Sequence, residues 1–219
     1  MTKLDHLKEI TESKKPFIIY KSDSGFDLFT NFSKKIILTN KNIKNFINNV
    51  NKNKSKSKDI DLFIGFFGYE ILNNLIGVKI KRQKAIKFPK GIFYKPEKRI
   101  KLSARLNYKP VKLVKFNKNF KINLNQESYS NIFNKFKKKI KSGETYQIKI
   151  CTKYKNSTQI DALDFFCRLT KTNIAPEAFM IKDKNYSIIS CSPENLIDKK
   201  KWFYNYKTYC WHFKENQET

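Results

Sequence analysis

Glycine and proline are scarce in this chain, six of each in 219 residues, and arginine is scarcer still: Arg82, Arg99, Arg105 and Arg168 are the four arginines among 46 basic side chains. Lysine, asparagine and isoleucine are abundant instead, the pattern that an AT-rich coding sequence writes into solvent-facing positions. The arginine deficit bears on the formal net charge of +27. Such a charge points first to a nucleic-acid or anionic-surface binder, because clustered cations gain affinity by releasing counterions. Phosphate and base-edge recognition, however, favours the planar arginine fork over the lysine point charge. A solvated basic surface, with no nucleic-acid partner, is therefore the expectation; a basic RNA-binding protein stays as the alternative of another class.

Long apolar runs are missing as well. No stretch approaches the ~18 uninterrupted apolar residues of a membrane span. The opening MTKLDHLKEITESKK is polar and mixed in charge, unlike a secretory signal. A cytoplasmic location with no membrane partner is expected. Cys151, Cys167, Cys191 and Cys210 form no C-x-x-C pair and only two histidines accompany them, so zinc lacks its ligands and reduced, mostly buried thiols are expected. What is present, 40% hydrophobic residues, suffices for one sizeable core, or for one core and the start of another.

Periodicity divides the chain into elements. PFIIY, KKIILTN and LFIGFFGYE read as strands bounded by turn residues, and Ile43, Phe46, Ile47 and Val50 have helical spacing. Residues 88 to 124 look like further strands joined by lysine-rich turns. Tyr129, Ile132, Phe133, Phe136 and Ile140 then define one face of a helix, with lysines gathered at its C-terminal end and Gly143 placed to stop it. The alternation of Tyr146, Ile148 and Ile150 suggests a strand, Asp161 to Thr172 a second amphipathic helix, and AFMI and YSIIS a hairpin turning at KDKN. The fold class expected is α+β, antiparallel sheets with helices on their outer faces.

Three of these stretches, in order, resemble the chorismate-binding enzyme family. IGFFGYE (64–70) resembles its glycine-rich G-x-x-GY-[DE] strand, YSNIFNKFKKKIKSGETYQIKI (129–150) its helix followed by I-x-x-G-[DE]-x-YQ, and NIAPEAFMIKDKNYSIISCSPENLI (173–197) its N-x-x-P hairpin ending in SPE. The resemblance spans most of residues 15 to 198 and implies an incomplete version of the anthranilate synthase component I-like fold. It implies an N-terminal α+β region over 1–124 and the start of the chorismate-binding domain over 125–198. It also implies an activity: amination of chorismate in the manner of the large component of aminodeoxychorismate synthase, with ammonia from a glutamine amidotransferase partner, for p-aminobenzoate and folate. Anthranilate synthase component I, of tryptophan synthesis, is the close alternative.

Residue by residue, the resemblance marks Glu194 of SPE as the catalytic carboxylate, and Gln147 and Ser192 as lining the substrate pocket. A carboxylate leaving a buried hairpin can be desolvated and tuned for proton transfer; without the resemblance it would pass for a surface acid in a turn. Family members that bind tryptophan do so at positions that look like Ser22, Phe29, Thr30, Asn31 and Phe32, and Pro176, Glu177 and Ala178, although strand-end packing accounts for such residues equally well. Magnesium is the implied cofactor of the intact enzyme, held by acidic residues of later segments; no metal ligand is expected in this chain.

After SPENLIDKK the sequence KWFYNYKTYCWHFKENQET neither alternates nor repeats helically. Reading one base later turns Trp202 and Trp211 into glycine and lets Lys207 to His212 read KPIAGT, close to a P-I-[AK]-G-T motif of the family and at the right distance from Glu194. One extra A in the lysine codons around Lys199 to Lys201 accounts for the change. Residues 199–219 are therefore expected to be an out-of-frame tail, the chain to be inactive by itself, and Trp202, Cys210, Trp211 and His212 to have no functional meaning.

Overall fold

A computed structural model describes residues 7, 9–10, 13–52, 62–71, 77, 88–106, 108, 117, 119–173, 175–192, 195–200 and 203–207. In chain order the strands are β1 (Phe17–Ser22), β2 (Gly25–Ile37), β3 (Ile64–Phe67), β4 (Gly91–Leu102), β5 (Lys121–Ile122), β6 (Tyr154–Lys155), β7 (Glu177–Lys182), β8 (Ser187–Ser192), β9 (Asn195–Lys200) and β10 (Phe203–Lys207). The helices are α1 (Ile43–Lys52), α2 (Gln126–Lys141) and α3 (Ala162–Thr172), with a single 3-10 turn at Tyr69–Ile71. They belong to two compact units, residues 1–109 with 162–219, and residues 110–161.

The first unit is built on a six-stranded antiparallel sheet in the order β3-β4-β2-β1-β7-β8. Strand β2 is its spine. Gly25 to Thr30 are six consecutive buried residues, so both faces of that half-strand are covered, whereas Asn31 to Ile37 are mostly exposed. On one face Phe17, Ile19, Phe26, Leu28, Leu102, Ala178 and Met180 pack against Leu163, Phe166 and Cys167 of α3. The Phe26 and Phe166 rings meet edge to face, 5.9 Å apart. The periodicity of α3 thus does what it promised: its apolar stripe is buried on the sheet, each large side chain contributing about 1.5–3 kcal/mol.

A second cluster joins Ile18, Phe29 and Ile181 to Ile92 and Tyr94. The sheet curls to bring these together, and polar contacts fasten the curl. Tyr94 on β4 donates to Asp183 at the β7–β8 turn, Lys35 on β2 pairs with the same carboxylate at 2.6 Å, and the Phe88 and Tyr186 rings lie 5.0 Å apart. Between Phe32 and Lys34 the β2–β4 register slips, one residue after Asn31 takes a left-handed φ of 52°. A bulge of this kind bends and twists a strand, and asparagine tolerates the left-handed region better than most residues. A third cluster seats α1, through Ile43 and Phe46, on Leu38 and Ile71.

The two glycines of the IGFFGYE segment have a steric reason. A Cβ on Gly65 would lie 1.9 Å from the Ile92 carbonyl oxygen, and one on Gly68 2.5 Å from that of Lys90. Only hydrogen fits between β3 and β4 there.

In the unit of residues 110–161, β5 pairs with β6, and α2 begins on an Asn125 cap whose side chain accepts from the Ser128 N–H at 2.8 Å. It ends where expected, with Gly143 at φ 76°. None of the residues of α2 is buried: Tyr129, Phe133 and Ile140 are all more than two-fifths exposed.

The expectations that fail are local. Tyr146, Ile148 and Ile150 form no strand; Tyr146 is 92% exposed, and alternation without a neighbouring strand to pair with cannot hold an extended segment. The thiols are not mostly buried among the described residues, since Cys151 is exposed, Cys191 half-buried and Cys167 alone buried; Cys210 lies outside those residues. Nor is the region after residue 199 without regular structure. Phe203 pairs with Lys200 and Lys207 with Asn195 in the β9–β10 hairpin, which the aromatic content of FYNYK favours. Trp202, Trp211 and His212 lie outside the described residues.

Candidate functional site

Antiparallel pairing of β1 with both β2 and β7 decides which of the singled-out residues meet. Ser22, half-buried, closes β1 opposite Gly25 at the two-residue turn Asp23–Ser24. On the other side β1 runs against β7 with Tyr20 opposite Phe179, which brings the end of β1 to the start of β7. There the Tyr20 hydroxyl donates to Glu177 Oε2 at 2.5 Å and Lys21 Nζ donates to the Ala175 carbonyl at 2.5 Å. Glu177 in turn faces Ser192, and Ala178 faces Cys191, across the β7–β8 ladder. Ser22, Glu177, Ala178 and Ser192 are therefore gathered at one end of the sheet, with exposed Pro176 beside them.

Phe29, Thr30, Asn31 and Phe32 are not gathered there. Phe29 is opposite Ile18, four residues along β2 from Gly25, which at strand rise is about 13 Å from the turn that holds Ser22, and Phe32 is farther still. Phe29 is a core residue, 4% exposed. Sequence spacing alone could not show this, because a hairpin sends residues at equal distances from its turn side by side, and residues at unequal distances apart.

Gln147 belongs to the other unit, where it is exposed and its carbonyl accepts from the Thr145 hydroxyl at 3.2 Å. Glu194, with Pro193, lies outside the described residues.

The sheet end contains groups that motif reading did not single out. Asp27 is 2% exposed, and its Oδ2 accepts from Arg99 at 2.6 Å while its Oδ1 has no hydrogen-bond partner. Arg99 also lies over the Phe29 ring, 5.8 Å from its centroid. Asp27 follows Gly25 and Phe26 in a strand with six buried residues in succession, and a charged residue inside such a run was the available signal. Burial pushes the Cys191 thiol up, with Lys21 partly offsetting it, so the thiol stays protonated and is no nucleophile at neutral pH.

Chemically the sheet end brings Ser22, Glu177 and Ser192 close together, with Lys21 alternating to the opposite face, where its Nζ is held by the Ala175 carbonyl. Arg99 lies farther along, opposite Phe29, and is paired with Asp27. Magnesium is another matter. No group of three or more potential metal-ligating side chains exists among the described residues, and Asp27 is already held by Arg99. The described residues do not fit a magnesium site.

No helix among the described residues is long and apolar enough to cross a membrane. No curated protein matches the chain significantly. A family model described as chorismate binding enzyme matches residues 10–205, taking in the six-stranded sheet, helices α1 to α3 and the SPE segment that follows β8 in the sequence. With that match over most of its length, and with a curled antiparallel sheet flanked by helices, the chain belongs to the chorismate-binding enzyme family.

Proposed function

We propose that the gene in its intact form encodes the large component of an aminodeoxychorismate synthase, aminating chorismate to 4-amino-4-deoxychorismate with ammonia from a glutamine amidotransferase partner. The observation that carries this reading is the position of the SPE motif. It starts at Ser192, the last residue of β8, directly across from Glu177 at the sheet end that also holds Ser22 and Lys21. In this reading Glu194 handles the proton during amination, and Ser192 contacts the substrate. Magnesium would neutralise a substrate carboxylate, with ligands from segments other than the described ones.

We further infer that the chain leaves its frame in the lysine codons at Lys199 to Lys201. The supporting observation is the KPIAGT reading that the shifted frame yields over Lys207 to His212. Its alanine excludes a lysine nucleophile at that position and keeps anthranilate synthase component I as the second reading.

Sequencing the coding DNA across Lys199 to Lys201 tests the frame, and an unchanged run of codons there ends that part of the reading. The frame-restored protein, given chorismate, ammonia and magnesium, is expected to form 4-amino-4-deoxychorismate, whereas the 219-residue chain forms none. Replacing Glu194 by glutamine in the restored protein should lower kcat about 10²–10⁴-fold, the usual worth of a general acid or base. Accumulation of anthranilate instead would transfer the assignment to the second reading.

A further inference from the structure

A cavity of about 440 Å³ lies at the opposite end of the β1–β2 hairpin from Ser22. Its walls come from the segment before β1, from β2 around the bulge and from β4. Lys15, Lys35 and Lys98 line it, against one acid, Glu9. Asp183 already neutralises Lys35 at 2.6 Å. Lys15 and Lys98, in contrast, have no ion-pair partner among the described residues, so the unbalanced charge of the cavity is positive and comes from these two side chains.

The bulge supplies the rest. The left-handed φ of 52° at Asn31 and the register slip after Phe32 place both residues on the wall of the same cavity, where an ordinary strand would alternate its residues between faces. A non-glycine residue in that conformation costs roughly 1–3 kcal/mol and persists only where the surroundings hold it. Beside Asn31 the half-buried Phe32 ring, backed by the buried Tyr94 ring 5.0 Å away, forms an apolar wall with Ile100. The Tyr94 hydroxyl is turned away from any ligand, because it donates to Asp183.

We propose that this cavity is a binding site for a small organic anion, one carboxylate or phosphate group on an apolar body, separate from the sheet end at Ser22. Lys15 and Lys98 hold the anionic group, the Asn31 amide donates to it, and Phe32 and Ile100 cover the apolar part. The volume lies within the roughly 300–1,000 Å³ of small-molecule sites. Paired lysines with an amide donor at the rim of an apolar wall suit an anion with a hydrophobic body better than they suit a cation or a neutral sugar.

The test is thermal unfolding of the full chain titrated with inorganic phosphate, phenyl phosphate or benzoate, ionic strength being held constant with sodium chloride. A saturable rise in Tm is expected with at least one organic probe. It should need about tenfold more ligand in Lys15→Gln and in Lys98→Gln, the loss expected from one charge-assisted hydrogen bond, and remain unchanged in Lys44→Gln, on the exposed face of α1. Phenyl phosphate acting alone assigns a phosphate ester, and benzoate alone a carboxylate. A response to inorganic phosphate equal to that of the organic probes removes the apolar wall from the site and overturns the proposal. So does the absence of any saturable shift, or a shift that all three lysine variants share. Both lysines are exposed, so their variants fold, and the ligand-free Tm of each checks it. Chorismate is not a probe here, so failure leaves the reading of the Ser22 end untouched.

Discussion

Asp183 is a carboxylate with 4% of its surface exposed that stays charged. Burial by itself would raise its pKa; hydrogen bonds from Lys35, Tyr94 and the Lys184 N–H outweigh that and hold the group below the ordinary carboxyl value. The same burial, with the hydrogen bond to Asp183, keeps the Tyr94 phenol far above its usual range and therefore protonated. Because the folded pKa of Asp183 lies below the unfolded one, the unfolded chain takes up the proton first. The stability that follows is fully present above the unfolded value of about 4 and is lost as pH falls through the folded value. Wild-type Tm is expected to drop steeply below about pH 4, and Asp183→Asn should destabilise the fold at pH 7 by about 1–3 kcal/mol, read as a lower Tm, while flattening that acid limb. A parallel acid limb in the variant would show that other carboxylates set it. Glycines permit an equally local comparison. Gly65→Ala would force a methyl group within 1.9 Å of a carbonyl oxygen and should cost several kcal/mol or prevent folding, whereas Gly143→Ala meets no atom within 4 Å and pays only for its left-handed φ, about 1 kcal/mol. Urea midpoints of the two variants measure the difference.

Among the elements, α2 is the most legible in the sequence and the least supported by its surroundings. Its spacing, its Asn125 cap and its Gly143 stop are all local signals, and the helix runs from Gln126 to Lys141 as they require. None of its residues is buried, so little tertiary burial backs the local terms. Asn125→Ala should therefore cost about 1 kcal/mol and be read directly in helix content, by circular dichroism, more than the equivalent change would in a helix seated on a sheet. Helix α3 is the contrast: Leu163 and Phe166 are at most 2% exposed, and Phe166→Ala should destabilise by about 3–5 kcal/mol in urea unfolding. Strand β2 shows what an element-level reading misses. The KKIILTN reading covers only the end of the strand, which starts at Gly25; six buried residues in succession there leave no in-and-out alternation to read.

Across the whole molecule, the basic surface stays a solvated one in this reading. Phe26, Phe46 and Phe166 are in the core, whereas Tyr129 and Phe133 are exposed on the lysine-rich α2, the feature that keeps the RNA-binding alternative worth testing. A filter-binding titration with single-stranded RNA should show weak binding that disappears at moderate salt; retention above ~0.2 M would restore the RNA-binding alternative. Local order was decided by the sequence: the helices, the β7–β8 hairpin and the motif glycines follow from periodicity, capping and turn chemistry, all of which act within a few residues. Which residues share a site was decided by the tertiary structure alone. Strand register is a long-range choice, made by burying both faces of β2 and by closing the curl through Asp183. It set Ser22 beside Glu177 and Ser192, carried Phe29 to Phe32 away from them, and left a lysine-lined cavity where the bulge bends the strand. A one-residue slip would have changed every one of those neighbours without changing a single local propensity.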